Sequence, residues 1–161
     1  LFTAVEAQRQ TDLSQEFSMQ VIAGTLLPEA AWRQLREAAR DCPGLTLRRW
    51  VPSLRHELAR AAVSVSRCGY NTSLDLIASR VPALVVPYET PDEDEQTTRA
   101  ERLARAGLAR VLTPARAGDP AQLAAAIRDT AGFVPQRHTL DCNGGPCTVT
   151  LLDTLLRARA H

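Results

Sequence analysis

Most of the side chains with a plausible chemical task fall in two short stretches. One is Ser66-Arg67-Cys68-Gly69-Tyr70-Asn71-Thr72, and the other runs from Pro87 to Gln96. In the first, Gly69 permits close approach of the backbone to a ligand, or a positive φ. A helix starting behind it presents unpaired N–H groups and a positive dipole end, which suits a phosphate. Arg67 can add a charge-assisted hydrogen bond to the same group. Asp75 lies one turn into that helix, where a carboxylate can accept both hydroxyls of a ribose diol. The same residues also read as an ordinary helix start. Thr72-Ser73-Leu74-Asp75 fits a capping box, with Thr72 as N-cap and Asp75 reaching back. Spacing leaves both readings open.

The second stretch, Pro87-Tyr88-Glu89-Thr90-Pro91-Asp92-Glu93-Asp94-Glu95-Gln96, is strongly acidic. Asp92 to Asp94 read as a solvated loop whose charge favours a helix N-terminus. Their spacing is not diagnostic of a metal site. Glu95 and Gln96 differ, because a helix starting there points them toward Gly69. A carboxylate and a neutral amide in that position suit sugar hydroxyls.

The elements that must hold these stretches alternate along the chain. A helix is expected over 1–13 and a strand over 17–24, ending at glycine. Pro28 opens a helix to Ala39 carrying Trp32 and Leu35, and a strand follows over 45–50. Ser53 can cap a short helix through Arg60. An apolar strand over 62–66 leads into the first stretch, and a helix follows it over 72–79. The strand over 82–86 is apolar throughout, as expected of one buried on both faces. A helix over 96–106 ends at Gly107, in a position that suits glycine. A strand over 108–112, a helix from Asp119-Pro120 to Thr130, a loop over 132–146 and a helix over 148–160 complete the chain. The last helix places Leu151, Leu152, Leu155 and Leu156 on one face.

This alternation predicts an α/β fold: a Rossmann-like parallel sheet with helices on both faces. Right-handed crossovers then bring both stretches, each a strand-to-helix loop, to one sheet edge, where ligands bind in such folds.

Composition narrows the partners. The chain has 161 residues and a formal net charge of +1, so neither nucleic acid nor a basic membrane patch is expected. Nineteen residues are Lys or Arg, and all of them are arginine, which reads as genome composition rather than function. Four cysteines do not make a dense disulfide framework, and no signal peptide is visible at Leu1-Phe2-Thr3-Ala4. A reducing cytoplasm is the expected setting, and the glycosylation sequon Asn71-Thr72-Ser73 is set aside on that ground.

Three segments together carry a family resemblance: Ser66-Arg67-Cys68-Gly69-Tyr70-Asn71-Thr72-Ser73-Leu74-Asp75-Leu76, Val81-Pro82-Ala83-Leu84-Val85-Val86-Pro87 and Glu95-Gln96-Thr97-Thr98-Arg99-Ala100. In order and spacing the chain resembles the C-terminal donor-binding domain of family 28 glycosyltransferases, the MurG-like branch of the GT-B fold. The resemblance implies a nucleotide sugar as donor, most often a UDP-sugar. It places Asp75 on the ribose diol, Glu95 and Gln96 on the donor sugar, and Arg67 and Gly69 along the cleft. The Tyr70, Asn71 and Thr72 backbone would lie near the pyrophosphate, and Trp50 and Val51 would flank the base. It also implies inversion at the anomeric carbon without a required metal, and no cofactor beyond the substrate. The family's catalytic base lies in an N-terminal acceptor domain, so no catalytic residue is expected here. By this resemblance the chain is a piece of a two-domain enzyme. Its central first strand and the glycine-rich loop after it would precede Leu1, and any peripheral membrane contact would run through the other half. Two other readings compete: a non-catalytic binding subunit completed by a partner chain, and an unrelated α/β interaction domain.

Other residues weigh less. Cys142, Cys147 and His138 supply only three candidate metal ligands, and a plain turn is expected there. Cys68 has no histidine nearby in sequence to activate it. His56 reads as helix surface, His161 as tail, and Trp32 and Trp50, taken by residue type alone, as core or rim packing.

Overall fold

The computed structural model describes residues 1–88, 90, 94–140 and 144–159, without the side chains of 158 and 159. Glu89, the acidic pair Asp92-Glu93, Cys142 and His161, all weighed above, lie outside the described residues. The chain opens with α1 (Phe2–Gln10) and α2 (Leu13–Glu16), then β1 (Met19–Ile22), α3 (Glu29–Ala38) and β2 (Leu45–Arg48). Next come α4 (Leu54–Leu58), β3 (Ser64–Ser66), α5 (Tyr70–Ser79), β4 (Ala83–Val85) and α6 (Glu95–Arg105). The last elements are β5 (Arg110–Val111), α7 (Pro114–Ala117), α8 (Pro120–Ala131) and α9 (Gly144–Arg159).

The expected α/β class holds, and among the described residues every strand pair is parallel. Among them β1 pairs with β2, and β3-β4-β5 form a second ladder.

Helices cover both faces of the larger sheet, and the pleat of β4 shows how. Successive side chains of a strand point to opposite faces. Ala83 and Val85 enter a core with Leu58, Leu76, Ala100 and Leu103, from α4, α5 and α6. Leu84, between them, packs on the other side with Ala7, Leu123, Ala124 and Ile127, from α1 and α8. The unbroken apolar run of this strand follows from that burial on both sides. The smaller sheet packs through Val21, Leu45 and Leu47 against Leu35 and Trp32 of α3.

Local chemistry sets several boundaries. The helix expected over 1–13 breaks at Thr11, whose hydroxyl donates to the Ala7 carbonyl and accepts the Leu13 N–H. A side chain that bonds its own backbone in this way competes with helix propagation. Ser53 caps α4 as expected, accepting the His56 N–H. Thr113 with Pro114 opens α7, a short helix not expected from the sequence. Asp119 caps α8 through the Ala121 and Gln122 N–H groups, and its carboxyl is held below the usual range, chiefly by the Gln122 backbone bond. The last helix begins at Gly144 rather than Thr148, and its four leucines are more than half exposed, so the expected apolar face covers no core.

Gly107 closes α6 as expected. Its N–H donates to the Ala104 carbonyl and the Leu108 N–H to the Leu103 carbonyl, the paired bonds of a Schellman motif. Gly107 has φ +66°, and a Cβ there would lie 2.7 Å from Gln136 Cδ. Replacing it with alanine combines left-handed strain with that clash. Gly107→Ala is expected to cost about 1–2 kcal/mol in urea unfolding. An unchanged midpoint would show that the turn relaxes freely.

Candidate functional site

β3 and β4 are three residues long, so the loops that follow them quickly leave the ladder. What joins the two loops is a side chain. Gln96, the second residue of α6, turns its Oε1 toward both and accepts the Cys68 N–H at 3.2 Å and the Tyr88 N–H at 3.1 Å. Arg99, one turn further along α6, donates from Nη1 to the Cys68 carbonyl at 2.8 Å. Its Nη2 pairs with Glu95, and its guanidinium lies 5.8 Å from the centroid of the Tyr70 ring. Arg67 crosses between the loops in the same way, 4.9 Å from the centroid of the Tyr88 ring. Both distances fall within cation–π range. Glu95 and Arg99 also line a depression of about 370 Å³ with Asp94, Thr98 and Arg102.

The helix behind the first loop starts earlier than the sequence suggests. Gly69, with φ −65° and ψ 157°, is the N-cap, and no side chain caps α5. Thr72 is therefore inside the helix, and the capping box with Asp75 does not form. The reason is Ser73: its N–H and its hydroxyl both donate to the Gly69 carbonyl, at 2.9 and 2.8 Å, which fixes the first turn around Gly69. The N–H groups of Tyr70, Asn71 and Thr72 precede the first intrahelical bond and carry none of their own.

Asp75 stands apart from the Gln96 cluster. Three to four residues on from Asn71 and Thr72, it shares their face of α5. Its carboxylate lies 3.6 Å from Arg55 of α4, and its side chain is 28% exposed, so it is reachable from solvent. Trp50 and Val51 lead from β2 toward that arginine. Trp50 is largely exposed and Val51 buried.

The structure thus gathers Arg67, Gly69, Tyr70, Glu95 and Gln96 around the joined loops, with Asp75 on the adjoining face. Two contributors were not singled out from the sequence. Tyr88 supplies both an N–H to Gln96 and a ring to Arg67. Arg99 carried one readable signal, its i,i+4 spacing from Glu95. Its reach back to Cys68, 31 residues away, carried none.

The residues given less weight take structural places. Cys68 is fully buried, with Sγ 3.5 Å from the Ser73 hydroxyl. His138 lies against α5, with Nε2 3.3 Å from the Ile77 carbonyl oxygen. Trp32 is half-buried, with Arg49 5.8 Å from its ring centroid. Among the described residues no group of three or more His, Cys, Asp or Glu could hold a metal ion. Among them, too, no helix is long and apolar enough to cross a membrane.

Solved structures share this architecture. MurG of Acinetobacter baumannii superposes with a TM-score of 0.65 over 94% of this chain and 46% of its own, at 18% identity. The calicheamicin glycosyltransferase CalG4 gives 0.61 over 81% of this chain and 30% of its own, at 22% identity. Both likenesses establish the fold, that of GT-B glycosyltransferase C-terminal domains. Residues 8–138, most of the chain, match the glycosyltransferase family 28 C-terminal domain, and the chain belongs to that family. The unrelated interaction domain is thereby excluded. A relative from Methylococcus capsulatus is 40% identical over 92 residues, 57% of this chain and 25% of its own length. One from Gloeobacter violaceus is 31% identical over 86 residues, 53% of this chain and 24% of its own. Each is a UDP-N-acetylglucosamine–N-acetylmuramyl-(pentapeptide) pyrophosphoryl-undecaprenol N-acetylglucosamine transferase. The chain spans about a quarter of the length of these two relatives.

The Gln96 clasp is testable on its own. Gln96→Ala leaves the Cys68 and Tyr88 N–H groups without their acceptor. The expected loss is about 1–2 kcal/mol in chemical unfolding. Gln96→Glu keeps an acceptor oxygen and should retain most of that stability. Equal losses in the two variants would mean that the amide oxygen is not what joins the loops.

Proposed function

We propose that this chain binds the nucleotide-sugar donor, a UDP-sugar, of an inverting, metal-independent glycosyltransferase that transfers a hexose or N-acetylhexosamine. The observation that carries the reading is the clasp of Gln96 and Arg99, which sets two family-signature loops beside the uncapped start of α5. The names of the relatives favour UDP-N-acetylglucosamine within that class.

Each residue then has a task. The Tyr70, Asn71 and Thr72 N–H groups and the α5 dipole receive the pyrophosphate, and Gly69 lets it approach. Arg67 neutralises part of its charge, and the same charge stabilises the departing nucleoside diphosphate. Asp75 accepts the ribose hydroxyls from the adjoining face, with Arg55 holding its carboxylate. Glu95 and the Gln96 Nε2 address the sugar, since the Gln96 Oε1 is already engaged. Trp50 and Val51 flank the base. The catalytic base and the acceptor site belong to an N-terminal acceptor domain, supplied by the same polypeptide or by a second one. Alone, the chain binds donor without turning it over. Its compartment is the cytoplasm, on its cysteine usage.

Calorimetry with UDP, UDP-N-acetylglucosamine and other UDP-hexoses tests this. Binding of UDP-sugars is expected, and it should persist in the presence of a chelator. Asp75→Ala should weaken UDP binding about ten- to hundredfold, the scale of a lost charged hydrogen bond. The exposed Arg55 pair contributes less than about 1 kcal/mol, so stability should barely change. A lower melting temperature with unchanged affinity would make Asp75 a structural residue only. No binding of any UDP ligand would overturn the reading.

A further inference from the structure

We infer that Arg99 is a positioning residue whose two-armed grip on Glu95 and on the Cys68 carbonyl sets the selectivity of the site for the sugar over the bare nucleotide. This rests on the donor-binding reading above and adds a residue and a division of labour to it.

Glu95 by itself is a poor selector. Its side chain is 69% exposed at the start of α6, and a free carboxylate there has several rotamers to choose from. The Arg99 side chain, by contrast, is only 19% exposed. One arm is committed to a backbone carbonyl across the loop, and the plane of the group lies near the Tyr70 ring. A guanidinium anchored at one end presents its other N–H groups in a fixed direction. The carboxylate that pairs with it inherits that direction. The anchoring point also matters. Cys68 precedes the N-cap of α5, so one side chain fixes both the loop before the helix and the carboxylate facing it. Phosphate recognition by α5 N–H groups needs only the loop, which the Gln96 Oε1 also holds. Sugar recognition by Glu95 needs the second arm of Arg99.

This division separates the consequences of substitution. Arg99→Lys keeps a cation near Glu95 but has one ammonium where two arms are needed. Affinities for UDP and for UDP-N-acetylglucosamine are measured by calorimetry on the intact protein, with melting temperatures alongside. The expected result is a fall of about tenfold in the preference for the UDP-sugar over UDP, with UDP affinity itself nearly unchanged. Glu95→Gln should produce a similar fall, and Arg99→Lys added to Glu95→Gln should lower the ratio no further, because one acts through the other.

Equal weakening of both ligands by Arg99→Lys would mark Arg99 as a general structural residue and overturn the inference. So would an unchanged ratio, or losses that simply add in the double variant. A parent protein that binds UDP and the UDP-sugar equally well would overturn it too, since Glu95 would then have no sugar to select. A parent protein that binds neither ligand would instead remove the donor-binding reading, and this inference with it.

Discussion

A single amide oxygen holds the centre of this structure together. The Gln96 Oε1 accepts one N–H from the loop after β3 and another from the loop after β4. Neither strand is long enough to order its own loop by ladder bonds. A hydrogen bond of this kind is worth only about 1 kcal/mol net, so the clasp is not a large source of stability. Its importance is geometric. Without it, the first turn of α5 and the first turn of α6 would be two separate surface features. With it, they face each other at a fixed spacing, and Arg99 completes the arrangement from the same helix.

Arginine chemistry recurs around this theme. Arg99 bonds a backbone carbonyl, pairs with a carboxylate and lies beside an aromatic ring. Arg49 does the same at the other sheet, with the Leu27 carbonyl, Glu29 and the Trp32 ring. A lysine ammonium cannot satisfy three such partners in one plane. The absence of lysine reads as genome composition in the sequence. In the fold, at least two of the arginines do work that the substitution would not preserve.

The sequence made the architecture legible because strand and helix periodicities differ, and because a strand buried on both faces must be apolar throughout. Ala83, Leu84 and Val85 meet that condition, and Gly107 marked its helix end for a reason that involves only its own backbone. The misses came where a local rule met a competitor. Thr72 had the chemistry of an N-cap, but the Ser73 hydroxyl fixed the turn around Gly69 three residues earlier. The leucines of α9 had an amphipathic pattern, but a pattern cannot say whether a partner surface lies within reach. The Gln96 and Arg99 contacts span about thirty residues, beyond what spacing can encode.

The helix starts show one more asymmetry. Ser53, Thr113 and Asp119 cap α4, α7 and α8 with their own side chains, whereas α1, α2, α3, α5 and α6 begin with no side-chain cap, and of these α5 starts at Gly69, inside the first of the two joined loops. An anionic ligand docked there would serve as the missing cap. Occupancy and folding would then be thermodynamically linked, with the loaded protein more resistant to heat in proportion to the logarithm of ligand concentration. The bare helix start is in that sense an unfinished piece of secondary structure, completed from solution rather than from the chain.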